Sequence, residues 1–147
     1  IDRFKQVNDR FGHNIGDRVI ASFAASIMKA VPSHAHVARF GGEEFIVYLP
    51  TGNAAEAATI AETIRAEFAC HGAERVGLQH DLTASFGLAS AQADDLLIHD
   101  IMARADRALY EAKNGGRDRV CVWRLQESPS RGETGKVEAA SAGGVPA

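Results

Sequence analysis

Residues 39–45 read RFGGEEF, and the segments on either side of this string decide the fold. Upstream, HAHVARF (34–40) alternates as a strand does, and downstream, FIVYLP (45–50) is the short apolar, β-branched run of a buried strand. Two strand formers joined through a glycine pair make a hairpin. Gly41 and Gly42 admit positive φ and let another group approach the backbone. Glu43 and Glu44 place two carboxylates side by side, which repel unless a cation lies between them and an anionic substrate. Oxygen ligands with no His or Cys nearby favour Mg²⁺ over zinc. Taken alone, so short a string is better read as a solvated turn with two surface glutamates.

Working outward, Val19, Ile20, Phe23, Ala24, Ile27, Met28 and Val31 recur at helical spacing. The spacing predicts an amphipathic helix from Asp17, with Gly16 and Asp17 at its start and Pro32 with Ser33 as its stop. Asn8 with Asp9 reads as a turn. After a break at 51–53, Ala57, Ile60, Ala61, Ile64 and Phe68 give a second helical stripe, expected to end before His71 and Gly72. LTASFGLAS (82–90) alternates as a half-buried strand, and a third helix is expected from Asp94 or Asp95 to Gly115 and Gly116. RVCVWRL (119–125) makes a last strand. The order of elements predicts an α/β fold of the α+β sandwich type, with helices flanking a mostly antiparallel central sheet. From Gln126 onward large apolar residues are almost absent, so residues 126–147 are expected to be a disordered tail behind one domain at 1–125.

The chain has 147 residues, 46% hydrophobic and 24% charged, which is the make-up of one ordinary domain with a core. A net charge of −3 and a pI near 6.1 supply no basic field for a nucleic-acid polymer. Cys70 and Cys121 lack metal spacing and disulfide density, which fits reduced thiols in the cytoplasm. Nothing reaches the roughly 18 apolar residues of a spanning helix, so this segment is expected to make no membrane contact, although a parent protein could be tethered upstream. The six His residues form no zinc set, His34 with His36 reads as a surface pair, and Trp123 and Tyr110 read as packing residues.

In IDRFKQVNDRFGHNIGD (1–17), Lys5, Asn8 and Asp17 suit an anion, a polar ring edge and a donor pair respectively. In ALYEAKNGGRDRV (108–120), Lys113 stands on the last turn of the third helix and Arg117 just past its glycines. Two cations there suit the helix macrodipole, and they could also clamp a polyphosphate if the helix end faces the hairpin.

Together with TASFGLA (83–89) and ADRALYEAKNGGRDRV (105–120), these strings resemble the catalytic domain of GGDEF-type diguanylate cyclases, over residues 1 to about 123. The resemblance implies a nucleotide-cyclase-like, ferredoxin-type core. It also implies condensation of two GTP into cyclic di-GMP with release of pyrophosphate, each GTP held by one domain of a head-to-head homodimer. By position, Asn8 and Asp17 match the family's guanine contacts, and a carboxylate can accept from guanine N1–H and its exocyclic amine, a donor pair adenine lacks. Lys5, Lys113 and Arg117 match phosphate-binding positions, Phe4 belongs to the same Phe-Lys pair at the substrate, and Gly41 and Gly42 match the turn against the nucleotide. Glu43 matches a metal ligand, and Glu44 matches the acidic residue implicated in metal binding and in activating the 3′-hydroxyl. The backbone carbonyl of Ile1 matches a further contact to the metal, Mg²⁺ or Mn²⁺. The rival reading is a degenerate GGDEF module that binds GTP or cyclic di-GMP as a receptor or regulatory domain, but Gly41, Gly42, Glu43 and Glu44 stand intact.

The family pattern runs Asp, apolar residue, Asp, x, Phe, Lys, so its first metal carboxylate falls immediately before Ile1, and the first strand and helix fall upstream as well. That strand lies inside the family's sheet, and without it backbone and apolar surface stand open. Residues 1–147 are therefore expected to be unstable or inactive alone, within a parent controlled by an upstream sensory domain. A soluble, monodisperse fragment that turned over GTP would contradict this. Where product-inhibited members carry Arg-x-x-Asp, this chain has Pro32, Ser33, His34 and Ala35. Lacking that guanidinium, the parent should show weak or no inhibition by cyclic di-GMP through this route. Strong inhibition that substitutions at 32–35 abolish would overturn the expectation.

Overall fold

The structure, a computed structural model, describes residues 1–95 and 97–124. Along them run α1 (Phe4–Phe11), α2 (His13–Ala30), β1 (His36–Gly41), β2 (Glu44–Tyr48), α3 (Ala54–Val76), β3 (Phe86–Leu88), α4 (Ile98–Asn114) and β4 (Val120–Val122).

Phe23 is the hub of the core. Its ring meets Phe68 at 4.8 Å between centroids, Phe45 at 5.4 Å and Phe86 at 6.1 Å, so one side chain of α2 joins α3, the hairpin and β3. The edge-on geometry of the first two pairs suits the ring quadrupoles. The expected α2 stripe is buried at Val19, Ile20, Phe23 and Ile27, against Ile64, Phe68 and Val76 of α3. Two buried hydroxyls tie the pair further, Ser22 donating to the Gly72 carbonyl and Ser26 accepting from the Arg75 guanidinium at 2.8 Å.

Several boundaries differ from the sequence expectation. Asn8 and Asp9 lie within α1 rather than in a turn, and α2 starts at His13, so Gly16 and Asp17 sit inside its first turns. Gly12, at φ 84°, makes the corner that allows two helices where one was expected. Helix α3 runs through His71 and Gly72 and ends at Gly77, whose φ of 73° makes a left-handed cap. Gly72 serves packing, because a Cβ there would fall 2.6 Å from the Phe68 ring. Helix α4 begins at Ile98 rather than at Asp94 or Asp95, since the Asp95 carboxylate is engaged by Arg104 at 2.6 Å and by the Gln92 amide at 2.7 Å. Of the strand expected over 82–90 only Phe86–Leu88 pairs, although Leu82 and Ala84 are buried as anticipated. Tyr110 is 68% exposed and is not a packing residue, whereas Trp123 lies under the Arg104 guanidinium. The expected tail lies outside the described residues, as does Leu125 of the last strand.

Strands β1 and β2 pair antiparallel, with Val37 opposite Val47 and a bulge between Arg39 and Gly41. Strands β3 and β4 pair parallel, with Phe86 opposite Val120. Helices flank these short sheets in the α+β arrangement expected, but the two ladders are separate. An apolar cavity of about 280 Å³ is lined by Phe45 and Val47 of one ladder and Phe86 and Leu88 of the other. Two consecutive backbone nitrogens reach across to both sides: Ile1 N donates to the Glu43 carbonyl at 3.2 Å, and Asp2 N to the Thr83 carbonyl at 2.8 Å. That alternation is how a strand addresses its two neighbours.

Removing the ring that joins α3 to Phe23 should cost about 3–5 kcal/mol. Phe68→Ala is therefore expected to lower the unfolding free energy by that amount, seen as a lower denaturant midpoint at unchanged m-value. A loss below about 1 kcal/mol would show that Phe68 does not anchor the core.

Candidate functional site

The hairpin turn is set by its own side chain. Arg39 donates twice to the Gly42 carbonyl, at 2.9 and 2.6 Å, while Gly42 adopts φ 30° in the left-handed region. A Cβ on Gly41 or Gly42 would meet nothing within 4 Å, so the space beside the turn is open to a ligand. Glu43 is half-buried and Glu44 exposed, and both line the cavity with Ile1, Asp2 and Lys113.

Lys113, on the last turn of α4, brings its ammonium to 3.8 Å from a Glu44 carboxylate oxygen. The end of α4 thus faces the hairpin, which is the condition the sequence reading set for a phosphate clamp. With both side chains about half exposed, this pair adds little to stability. The carboxylates of Asp2, Glu43, Glu44 and Asp106 line the cavity, and no cluster of three or more His, Cys, Asp or Glu suited to a metal occurs among the described residues.

Asp2 was not singled out from the sequence, yet it is 7% exposed and organises this end of the molecule. Its carboxylate accepts from the Thr83 hydroxyl at 2.9 Å, the Ser85 hydroxyl at 2.7 Å and the Asp118 amide at 3.1 Å. Residues 83 and 85 share a face because strand-like chain repeats every two residues, so Thr-x-Ser was the readable signal. The Asp118 bond holds a turn in which Arg117 and Asp118 both adopt left-handed backbone, at φ 66° and 45°. Such conformations cost of order 1–3 kcal/mol each and persist only where the surroundings impose them. Here Asp2 takes the Asp118 amide and Arg65 takes its carboxylate at 2.7 Å, which orients the chain at Arg117.

The remaining predicted residues divide into two groups. Asn8 on α1 lies against Gly16 in the first turns of α2, and its side-chain oxygen is buried without a hydrogen-bond partner, while Asp17, the next residue of that helix, is exposed. Phe4 beneath it belongs to the core. Lys5 and Arg117 are exposed and do not line the cavity.

Residues 1–119 match the family described as "Diguanylate cyclase, GGDEF domain", and the chain belongs to that family. It is 40% identical over 124 residues to a diguanylate cyclase of Vibrio cholerae serotype O1, covering 84% of this chain and 38% of the relative. It is also 40% identical over 122 residues to Diguanylate cyclase A of Treponema denticola, covering 83% of this chain and 33% of that one. The chain thus spans well under half the length of these curated relatives. Among solved structures, the active GGEEF domain of a Vibrio cholerae diguanylate cyclase superposes with a TM-score of 0.75 at 37% identity, covering 84% of this chain and 78% of that one. The GGDEF domain of DgcB from Caulobacter crescentus, in complex with c-di-GMP, gives 0.75 at 40%, covering 83% and 72%. Among the described residues no helix is long and apolar enough to cross a membrane.

Proposed function

We propose that this chain is the catalytic domain of a diguanylate cyclase, which joins two GTP into cyclic di-GMP as a dimer of domains. The observation that carries the reading is the approach of Lys113 to Glu44 at one cavity, with Glu43 and Ile1 beside them. In each of two equivalent steps, the 3′-oxygen of one GTP bonds to the α-phosphorus of the other. The bond from that phosphorus to the bridging oxygen breaks, and pyrophosphate leaves. Glu44 is the group proposed to take the hydroxyl proton. Lys113 and Arg117, with Lys5, offset the charge of the triphosphate and of the departing pyrophosphate. Asn8 and Asp17 read the guanine edge. Most of the acceleration then comes from alignment of two bound substrates.

The donor set suits a hard divalent cation in kind: two carboxylates, Glu43 and Glu44, and the Ile1 backbone carbonyl, all oxygen, beside a hairpin turn whose two glycines leave open space. Mg²⁺, or Mn²⁺ in its place, would be held by Glu43, Glu44 and the Ile1 carbonyl, and when bound would polarise phosphoryl oxygens. The gap between the two ladders, addressed from both sides by Ile1 and Asp2, supports a further strand in the parent protein at that place. The domain is assigned to residues 1–125 and to the cytoplasm, with activity governed by how an upstream sensory module aligns two copies.

The full-length protein with Mg²⁺ and GTP should release pyrophosphate and form cyclic di-GMP, and Glu44→Gln should lower kcat by about 10²-fold or more. Asp17→Asn should narrow the preference for GTP over ATP. Guanine nucleotide binding without turnover in the wild-type protein would replace this reading with that of a receptor domain.

A further inference from the structure

Gly16 lies within α2, where its backbone is helical and no unusual φ calls for glycine. Glycine at such a position lowers helix stability relative to alanine, so its presence needs another cause. Space supplies it. A Cβ on Gly16 would fall 1.9 Å from the Asn8 side-chain oxygen, 3.0 Å from the carbon that bears it and 3.2 Å from the tip of the Phe4 ring. The Asn8 amide therefore points its oxygen at the bare backbone of α2, in a place that only the absence of a side chain leaves open. Its oxygen is buried there without a hydrogen-bond partner, an arrangement that costs free energy and does not arise from optimising the fold.

We infer that Gly16 is a positioning residue for nucleobase recognition, holding open the slot that aims the Asn8 amide alongside Asp17 at the guanine edge. The inference rests on the proposed role of Asn8 as a base contact. A methyl at residue 16 would not break the helices, because the atom it strikes is the free end of a flexible side chain. The amide would swing away instead. Stability and recognition then move in opposite directions, since alanine favours the helix and relieves the buried oxygen while the base loses a fixed partner.

The test uses the full-length protein, Mg²⁺, and a GTP analogue with a non-cleavable α,β-bridge, with the corresponding ATP analogue for comparison. Gly16→Ala should weaken binding of the guanine analogue about tenfold, the scale of one lost hydrogen bond, at an unchanged or raised Tm. Binding of the adenine analogue should change less, so the guanine preference shrinks. Asn8→Ala should weaken guanine binding similarly, and Gly16→Ala combined with Asn8→Ala should be no weaker than Asn8→Ala alone. Additive losses, or a Gly16→Ala protein that binds as wild type while Asn8→Ala does not, would overturn the inference and leave the base contact standing. A marked fall in Tm would also overturn it, because the methyl would then have displaced α1 rather than the amide. A neutral Asn8→Ala would overturn the base-contact reading itself, and this inference with it.

Discussion

The buried carboxylate of Asp2 is the constraint on which the functional end of the molecule depends. Two hydroxyls and one backbone amide converge on it from Thr83, Ser85 and Asp118, and its own amide bonds the Thr83 carbonyl. These bonds link the N-terminal segment, the approach to β3 and the turn before β4, three stretches far apart in sequence. A buried carboxylate left without such donors would be strongly disfavoured, so the three segments must arrive together or not at all. Ile1 and the turn at Arg117 are thereby fixed relative to one another by one side chain that need not touch a ligand.

The hairpin brings the opposite problem, two carboxylates on a short turn with little to neutralise them. Lys113 answers part of it from α4, at a separation and exposure that leave both groups available to a charged ligand. Arg39 answers the geometric part by gripping the Gly42 carbonyl, so the turn keeps its shape without any side chain on its two glycines. Under the proposed function, the repulsion between these carboxylates is what a cation and a polyphosphate would relieve, which would couple binding to order.

Much of this was legible in the residues. The α2 stripe through Phe23, the hairpin around Gly41 and Gly42 and the helix ending near Gly115 follow from periodicity and glycine placement, and each is present. Errors gathered where a local signal was outvoted by packing. Gly72 reads as a helix stop, but next to Phe68 it is room for a ring, and the helix continues to Gly77. Asp95 reads as a cap, but it is taken by Arg104. Asn8 and Asp9 read as a turn, yet a corner at Gly12 lets a short helix form around them.

The sequence by itself determined which functional groups exist and in what order: an acidic turn, cations before and after it, and the amide of Asn8 with the carboxylate of Asp17 near the start. Tertiary structure alone decided which of them meet. That Lys113 faces Glu44, that Asp2 rather than a surface charge holds the Arg117 turn, and that Gly16 makes space for Asn8 all arise from contacts between segments remote along the chain. Local periodicity carries information about the face a residue occupies, but the partner across that face is chosen by the packing of the whole core.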